Sequence, residues 1–358
     1  MPTATESPTR AERIRVKLLH RITNRTWLHQ LPGAMPVWGR CEFVLDPDSR
    51  EYDWLVVYDE LPSRRGEHRA RRQEVLACPR RHTLLVTTEP SSIKAYGNAY
   101  TAQFGCVLTS QEAWALPHPD RIHSQPALHW FYGMGEGHEI PYDRMAAAAP
   151  PAKTKTISMV YSGKRQRHTL HSQRLRFMEG LMEALPELEV FGRGVRPLDD
   201  KAEALDEYRY HIALENHIGA HHWTEKLADA FLGFTLPFYA GCPNAADYFP
   251  PESFIPIDME DLGGSVETIR RAIRDNEYER RLPHIVEARR RMLQDHNLFA
   301  VLAREIEKRH EPLVPPAEPF VLLSRHAIRR KYPLLGLRYI YEKGRARVVH
   351  AWMRKGRG

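Results

Sequence analysis

Polar side chains in residues 210–231, YHIALENHIGAHHWTEKLADAF, lie where a short apolar run ends and an amphipathic run begins. They are Glu215, Asn216, Thr224, Glu225 and Lys226. The free N–H groups at the start of a helix carry partial positive charge and favour an anion. A lysine in that first turn is unfavourable unless an anion such as a phosphate lies opposite it, and the neighbouring glutamate can accept hydrogen bonds from hydroxyl groups. These residue types suit a phosphorylated ligand that also carries a ribose or a sugar.

A purely structural explanation of the same residues is also available. Thr224 is suited to cap a helix whose apolar face begins at Leu227. Glu225 and Lys226 then need be no more than the solvated start of that helix, and Asn216 the cap of a turn. Residue types alone leave both interpretations open.

The composition indicates a folded chain of more than one domain. The 358 residues exceed a typical single core, and 42% hydrophobic residues suffice for packed interiors. No apolar run reaches the roughly 18 residues of a spanning helix, and residues 1–12 are expected to be a disordered lead without the pattern of a secretion signal. The four cysteines form no Cys-x-x-Cys pair, which argues against disulfides and a cysteine zinc site and favours a reducing cytoplasm.

The positive charge of the chain is concentrated near its C-terminus. Residues 321–358 hold eleven Lys or Arg and one acid, a balance of +10, so the rest of the chain contributes −3 to the total of +7. This segment is also rich in Leu, Ile, Tyr and Trp, which favours an anionic membrane surface over nucleic acid as its partner. The alternative is a C-terminal helix that packs back onto the body over 321–341 and leaves 343–358 free.

Short apolar runs alternate with mixed segments in the first half of the chain, which predicts β-strands. The predicted strands are 14–19, 53–61, 82–90 and 106–110. The last three are spaced by about 25 residues, the rhythm of strand–helix units around a parallel sheet. The proline-rich stretch 115–130 is expected to be an ordered loop.

The second half repeats this alternation and places glycines at strand ends. The predicted strands are 156–163, 188–194, 210–216, 235–241 and 253–258, and the predicted helices are 172–186, 224–234 and several charged helices between 265 and 310. This order indicates a doubly wound α/β domain, which binds ligands at the carboxyl edge of its strands.

Two proline-rich breaks divide the pattern into domains. Residues 144–155, RMAAAAPPAKTK, have the composition of a hinge, and 312–319, PLVPPAEP, form the second break. The predicted division is 1–12 as the lead, 13–145 as a first Rossmann-like domain, 146–155 as a linker, 156–311 as a second domain and 312–358 as a basic amphipathic segment.

Several spaced elements of the second half agree in order with one known pattern. They are 208–216 (YRYHIALEN), 223–227 (WTEKL), 236–241 (LPFYAG), Tyr248 and 251–255 (PESFI). Together they resemble the donor-binding signature of glycosyltransferase family 10, the α-1,3/1,4-fucosyltransferases, over about 156–260. EVFGRG, residues 189–194, resembles the family's Val-Tyr-Gly-Arg strand end, which assigns Gly192 to the donor site.

The resemblance implies the GT-B fold, in which two Rossmann-like domains with parallel sheets face a central cleft. It implies that GDP-fucose binds the second domain and the acceptor the first. Arg174 and Lys226 would neutralise the pyrophosphate, Glu225 would hold ribose or fucose hydroxyls, and Asn216 would orient donor groups. The remaining donor-site residues implied by the motifs are Glu215, His222, Trp223 and Thr224. His217 and His222 stand where the family has Ser and Tyr, which leaves the donor sugar open.

Glu89 is the candidate catalytic base. It follows the predicted strand TLLVTT and precedes Pro90, and the resembling family's proposed base occupies this Glu-Pro segment. A carboxylate there would take the proton of the attacking hydroxyl, as in an inverting glycosidase. The alternative is a salt bridge or a helix cap at Ser91. No metal or other cofactor is expected if Arg174 and Lys226 neutralise the diphosphate, because no Asp-x-Asp is placed to hold a metal-bridged diphosphate. His221 and His222 also lack a third ligand at a known spacing.

The predicted function is therefore an inverting transfer of fucose from GDP-fucose to a glycan hydroxyl. The expected acceptor is N-acetylglucosamine in a surface polysaccharide or lipopolysaccharide. Two alternatives stay open: the same chemistry with another nucleotide-linked deoxysugar, and a non-catalytic protein that docks on a membrane or a nucleic acid. The expected location is the cytoplasm, including the inner face of the cytoplasmic membrane.

Overall fold

The computed structural model describes residues 13–64, 66–125, 129–161, 171–192, 194–311 and 319–355. The chain divides into two compact units. The first unit is drawn from residues 1–24, 35–126 and 299–358, and the second from 25–34 and 127–298. The predicted lead, 1–12, and most of the second proline-rich break lie outside the described residues.

The first unit is built on a seven-stranded sheet of order β2-β3-β1-β4-β6-β7-β8. Its strands are β1 Ile14–Leu19, β2 Val37–Trp38, β3 Cys41–Val44, β4 Trp54–Tyr58, β6 Thr83–Val86, β7 Cys106–Thr109 and β8 Arg121–His123. All neighbours pair in parallel except β2 with β3. The central strands β4, β6 and β7 are buried along their whole length, as expected for a parallel sheet covered on both faces.

The second unit is built on a five-stranded, wholly parallel sheet of order β10-β9-β11-β12-β13. Its strands are β9 Lys155–Val160, β10 Leu188–Phe191, β11 Tyr208–Leu214, β12 Leu236–Ala240 and β13 Ile255–Pro256. Apolar side chains of β9, β11 and β12 pack against helices in one core that includes Met159, Ile212 and Phe238.

The helices of the described residues flank these sheets. They are α1 Asn24–Leu28, α2 Asn98–Thr101, α3 Tyr142–Ala147, α4 His171–Ala184, α5 Glu225–Leu232, α6 Leu262–Arg274, α7 Glu277–Gln294, α8 Leu298–Arg309, α9 Arg325–Lys331 and α10 Pro333–Lys355. A separate antiparallel pair joins β5 Gln73–Val75 to β14 Val321–Leu323. The prediction of an α/β chain with parallel sheets in both halves is confirmed.

The predicted linker lies inside the second unit, whose first long segment begins at residue 127. Met145 in α3 is fully buried, and Arg289 Nη2 donates to its carbonyl oxygen at 2.6 Å. The buried Lys153 ammonium donates to the carbonyl oxygens of Leu205 and Gly233 at 2.9 and 2.5 Å, and burial lowers the pKa of Lys153 to about 7. The Ala- and Pro-rich composition suggested a hinge, but these distant contacts fix the segment to its own unit.

Two other expectations differ from the structure. The stretch 115–130 contains strand β8, which extends the sheet beside β7 and was expected to be loop. The C-terminal segment follows the packed alternative beyond residue 341, because His350 Nε2 lies 2.8 Å from Ser91 Oγ of the same unit. Residues 343–350 are therefore held on the first unit, and strand β14 and helix α9 precede them.

Candidate functional site

A cavity of about 230 Å³ opens within the second unit beside strands β9 and β11 and the first turns of α4 and α5. Its polar lining consists of Arg174, Lys201, His211, Asn216, Glu225, Lys226 and Asp229. A parallel sheet collects such groups because the carboxyl ends of its strands and the N-termini of the following helices meet at one edge. Four of the residues singled out in the sequence, Arg174, Asn216, Glu225 and Lys226, are brought together here.

Glu215 joins the end of β11 to the start of α5. Its carboxylate is fully buried and accepts from the Thr224 amide at 2.8 Å and from the Thr224 hydroxyl at 2.7 Å. The Thr224 hydroxyl in turn caps α5 by accepting from the Lys226 amide at 3.4 Å. Burial raises the pKa of Glu215. These bonds fix the first turn of α5, so Glu215 and Thr224 shape the site without lining the cavity.

Glu225 and Lys226 form an ion pair at the start of α5, with 2.7 Å between Lys226 Nζ and Glu225 Oε1. Burial alone would raise the pKa of Glu225, but the adjacent ammonium lowers it to about 2. Burial alone would lower the pKa of Lys226, but Glu225 and Glu215 raise it to about 12. Both groups are therefore charged at neutral pH, and the lysine sits where the helix N–H groups already favour an anion.

Arg174 brings a second cation from α4. Its side chain is buried, and its Nη1 donates to the Leu214 carbonyl at 3.3 Å and to Asn216 Oδ1 at 2.5 Å. Burial lowers the pKa of Arg174, whereas Glu215 and Glu225 raise it. The guanidinium is thus held against the end of β11 in a fixed orientation, and Asn216 acts as one of its clamps.

Lys201 is a third cation of the cavity, which the sequence analysis missed. It follows Asp200, whose Oδ1 accepts from the Ala202 amide at 2.9 Å, while the Asp200 amide donates to Glu203 Oε1 at 3.0 Å. This capping box fixes the short turn that carries Lys201. The surrounding sequence, LDDKAEALDE, is acidic and has no motif that would have singled out the lysine.

Asp229 was also missed. It is 2% exposed, and its Oδ1 accepts from the Phe131 and Tyr132 amides at 2.9 and 3.0 Å. Its Oδ2 has no hydrogen-bond partner among the described residues. Burial raises the pKa of Asp229 to about 7, although Lys201 opposes that shift. The sequence did contain a signal for Asp229. A carboxylate four residues after Glu225 lies on the same helix face and interrupts a row of apolar residues.

His211 lines the same cavity from β11. Its Nδ1 lies 2.8 Å from Ser158 Oγ, and burial, aided by Lys201, lowers its pKa to about 3. The imidazole is therefore neutral at physiological pH and contributes a polar wall without a charge.

Two further predicted donor residues, Trp223 and His222, do not line the cavity. Trp223 is buried among aromatic rings and meets Tyr248, Phe249 and His296 edge-on at 5.7, 5.0 and 5.9 Å. His222 is buried next to His217 at 5.4 Å between ring centroids, and burial lowers its pKa to about 4. Both side chains pack against neighbouring side chains in this structure.

Gly192 is required by the backbone at the end of β10. Its φ is +123°, and a Cβ there would collide with the Tyr161 carbonyl oxygen. Its amide donates to the Arg196 carbonyl at 2.7 Å, which closes the turn. The structure thus gives this glycine a conformational role next to the strand end, outside the cavity lining.

His221, the first of the two adjacent histidines, is held by contacts with Tyr248 and Asn244. His221 Nδ1 lies 2.5 Å from the Tyr248 hydroxyl, and its amide donates to Asn244 Oδ1 at 2.7 Å. Within the described ranges, no group of three or more His, Cys, Asp or Glu side chains is arranged to hold a metal ion.

Glu89 belongs to the first unit. It lies three residues after β6, is half-buried, and its carbonyl oxygen accepts from Gln111 Nε2 at 2.7 Å. The side-chain amide of Gln111 also donates to the Lys94 carbonyl at 2.9 Å, so the loop that carries Glu89 is fastened at both ends.

Comparison with known proteins bears on the half of the chain that contains the cavity. Residues 150–272 match the model of the C-terminal domain of glycosyltransferase family 10 (fucosyltransferase). This segment contains every polar residue that lines the cavity. Over these residues the chain is similar to glycosyltransferase family 10.

Individual relatives of the family 10 segment are similar over shorter stretches. An alpha-(1,3)-fucosyltransferase of Helicobacter pylori is 33% identical over 72 residues, which is 20% of this chain and 15% of the relative. A 4-galactosyl-N-acetylglucosaminide 3-alpha-L-fucosyltransferase of Pongo pygmaeus is 31% identical over 121 residues, which is 31% of this chain and 32% of the relative. The chain therefore spans a third or less of the length of these relatives.

A crystal structure of an alpha1,3-fucosyltransferase aligns over 87% of this chain and 96% of its own, with 15% identity and a TM-score of 0.46. A further crystal structure, of an alpha1,3-fucosyltransferase with GDP-fucose, covers 86% of this chain and 93% of its own at 14% identity and a TM-score of 0.43.

Proposed function

We propose that the protein transfers fucose from GDP-fucose to a hydroxyl group of a glycan, with inversion at the anomeric carbon. The observation that carries this proposal is the cavity at the start of α5, where Arg174, Lys201 and Lys226 converge beside the helix N-terminus. The match of this segment to the fucosyltransferase family model supports fucose as the transferred sugar.

The cations suit the charge that develops on the leaving group. As the glycosidic bond breaks, the nucleoside diphosphate gains negative charge, and fixed cations and helix N–H groups stabilise it where it forms. Arg174 is pre-oriented for this role by Leu214 and Asn216. When the donor binds, Lys226 Nζ gives up its longer contacts, at 3.2 Å to Thr224 and 3.6 Å to Glu215, and contacts phosphate oxygens instead. Its shorter contact with Glu225 remains.

The acidic groups of the cavity suit hydroxyl recognition. Glu225 is ionised at neutral pH and accepts hydrogen bonds from a ribose diol or from fucose, while it holds the Lys226 ammonium in place. Asp229 offers its second carboxyl oxygen to the same ligand. Acidic and basic groups in one cavity match a ligand that carries both phosphates and sugar hydroxyls.

Glu89 is proposed as the base that removes the proton of the acceptor hydroxyl during attack. Glu89 is half-buried on a loop that Gln111 fastens at both ends, so the position of the residue is defined as this role requires. We further propose that no metal ion is required, since the three cavity cations supply the positive charge. Transfer should then persist in excess EDTA, and a loss of turnover restored by Mg²⁺ or Mn²⁺ would contradict this part.

The experiment is a transfer assay with the purified full chain, GDP-fucose and a panel of glycans that end in N-acetylglucosamine or N-acetyllactosamine. GDP release that depends on an acceptor, with an α-linked fucosyl product from the β-linked donor, is the expected result. Turnover with a different nucleotide deoxysugar and none with GDP-fucose would establish the alternative donor. Absence of turnover and of nucleotide binding across the panel would refute the transferase proposal.

A further inference from the structure

Residues 89–94 form a loop of the first unit that begins with the proposed base, and we call it the base loop. The side-chain amide of Gln111, shortly after β7, donates to the carbonyl oxygens of Glu89 and Lys94 at 2.7 and 2.9 Å. Within the loop, the Pro90 carbonyl oxygen accepts from the Lys94 amide at 3.0 Å. These bonds fix the backbone at both ends of the base loop.

Ser91 is the residue that connects the base loop to side chains elsewhere in the unit. It is 5% exposed, and its hydroxyl oxygen lies 2.5 Å from Glu112 Oε2 and 2.8 Å from His350 Nε2 of α10. A hydroxyl group has one proton and a carboxylate only accepts, so Ser91 donates to Glu112. The bond to His350 then takes its proton from Nε2. The three side chains therefore form one chain of hydrogen bonds, from His350 through Ser91 to Glu112.

Helix α10 contacts the first unit at a second place, beside Glu112. Like the other helices of the described residues, it lacks the combination of length and hydrophobicity that a membrane span requires. Arg345 Nη1 donates to the Trp114 carbonyl oxygen at 3.3 Å, and the guanidinium carbon lies 5.9 Å from the centroid of the Trp114 ring. The ring centroids of Trp114 and His350 are 5.3 Å apart. The last turns of α10 thus contact both the base loop and the segment that carries Glu112.

Attachment of α10 does not by itself account for this chain of polar side chains. The Glu342 carboxylate accepts from the Asn98 amide at 3.1 Å, and Ala346 is 7% exposed, so the helix is also held at other points along its length. An apolar side chain at position 350 would pack on the unit without the cost of desolvating an imidazole. The hydrogen bond from His350 to Ser91 therefore calls for a role in the base loop itself.

Pro90 makes the position of Glu89 depend on that of Ser91. The proline ring fixes its own φ at about −65° and restricts the residue before it to extended backbone conformations. Pro90 is also buried. Because few free torsions remain between Ser91 and Glu89, a shift of Ser91 is passed on to Glu89.

We propose that His350 is a positioning residue of the transfer reaction. By holding Ser91, it keeps Glu89 in the orientation in which the carboxylate takes the proton of the acceptor hydroxyl. The inference rests on the proposed role of Glu89 and adds a support for it from the last helix of the chain. Misplacement of a reacting group by about 1 Å lowers a rate by roughly 10²-fold. Because His350 acts through Ser91, its removal should lower kcat and leave GDP binding unchanged.

The test compares His350→Ala with His350→Gln in the full chain, by initial rates of fucosyl transfer and by calorimetric titration with GDP. His350→Ala should lower kcat by about tenfold or more, with an unchanged Kd for GDP. Glutamine places an amide nitrogen near the position of Nε2 and can donate to Ser91, so His350→Gln should keep most of the activity.

Ser91→Ala breaks the same chain from the other side and also serves where His350→Ala fails to fold. It should lower kcat as His350→Ala does. The double variant should lose no more activity than either single variant, because both changes remove the same interaction. Losses that multiply in the double variant would contradict a shared role.

Glu342→Ala is the matched control, because it loosens the same helix at Asn98 and leaves the base loop intact. Its kcat should stay near that of the wild type, and thermal unfolding midpoints check that each variant is folded. Hydrogen exchange gives a measurement without turnover. The amides of Ile93 and Lys94, both bonded within the base loop at 3.0 Å, should exchange at least about tenfold faster in His350→Ala than in the wild type.

An unchanged kcat in His350→Ala, or an equal loss in Glu342→Ala, would overturn the inference. A loss in His350→Gln as large as that in His350→Ala would do the same. If Glu89→Gln abolishes transfer and His350→Ala leaves it normal, the inference fails while the proposed function stands. Normal transfer by Glu89→Gln would overturn both the role of Glu89 and the role of His350.

Discussion

Both parallel sheets end in clusters of charged side chains, and the two clusters differ in what their charges contact. In the first unit, the Asp59 carboxylate accepts from Lys94 Nζ at 2.7 Å, from the Tyr96 hydroxyl at 2.5 Å and from the Thr88 hydroxyl at 2.9 Å. Lys94 also pairs with Glu60 at 3.2 Å, and Arg325 contacts Glu60. We call this group the Asp59 cluster. Its charges neutralise one another within the protein.

In the second unit, the cations line a cavity of about 230 Å³. The charged side chains of the Asp59 cluster, in contrast, contact one another. Burial alone would raise the pKa of Asp59, but Lys94 and the hydroxyl groups lower it, whereas burial raises the pKa of Asp229 to about 7 because its partners are fewer. Buried charge near a strand end therefore does not by itself identify a binding site. The distinguishing feature is charge that faces an open volume.

The largest expected effect is that of Glu89→Gln, which tests the one catalytic role assigned to the first unit. The amide keeps the shape of the side chain but cannot accept the proton, so transfer should fall by about 10²–10⁴-fold. GDP affinity should stay unchanged, because the diphosphate is assigned to the other unit. Initial rates and a GDP titration measure the two quantities, and near-normal turnover would remove Glu89 from the role of base.

Lys226→Ala tests the open cluster. Removal of a charge-assisted contact should weaken GDP binding by about 1–3 kcal/mol, a factor of roughly 5–150. Lys94→Ala is the matched control, since it removes a partly buried lysine from the Asp59 cluster. Calorimetric titration should show the loss in the first variant and not in the second, and equal effects would erase the distinction between the clusters.

Lys94→Met tests the closed cluster. It leaves Asp59 and Glu60 without their shared ammonium, and the free energy of unfolding should fall by about 1–2 kcal/mol. Urea unfolding measures this change. A change of less than about 0.5 kcal/mol would contradict the structural role assigned to Lys94.

Asp229→Asn tests the smallest effect, a dependence of stability on pH. A carboxyl group with a raised pKa keeps its proton in the folded state after the unfolded chain has lost it, so stability falls as pH rises toward the folded value of about 7. Wild type should lose about 1 kcal/mol of unfolding free energy between pH 6 and pH 8 from this group, and Asn should remove that loss. Identical pH profiles of the two proteins would show that the pKa of Asp229 in the folded protein lies outside this pH range.

The sequence was sufficient where local pattern and structure agree. Strand β1 occupies the predicted residues 14–19, and β11 and α5 flank the predicted polar stretch. Arg174, Asn216, Glu225 and Lys226 share the cavity as expected, because strand ends and helix starts meet at one edge of a parallel sheet.

Where long-range contacts decide, the sequence was insufficient. The residues around Lys153 have the composition of a hinge, but a buried ammonium bound to two distant carbonyls fixes them. Trp223 and His222 lie within a binding motif, yet their side chains are buried and contribute to packing. Lys201 reaches the cavity from a turn that no local pattern connects with α5, and strand β2, with two residues, is too short to give an alternating signal.

The most direct test of the account is calorimetric titration of the purified full chain with GDP, UDP and CDP. GDP should bind with the highest affinity of the three, and its binding should weaken when Arg174 or Lys226 is replaced, because the diphosphate is proposed to lie against the first turn of α5. Equal affinity for the three nucleotides with no response to either substitution, or no binding at all, would contradict it.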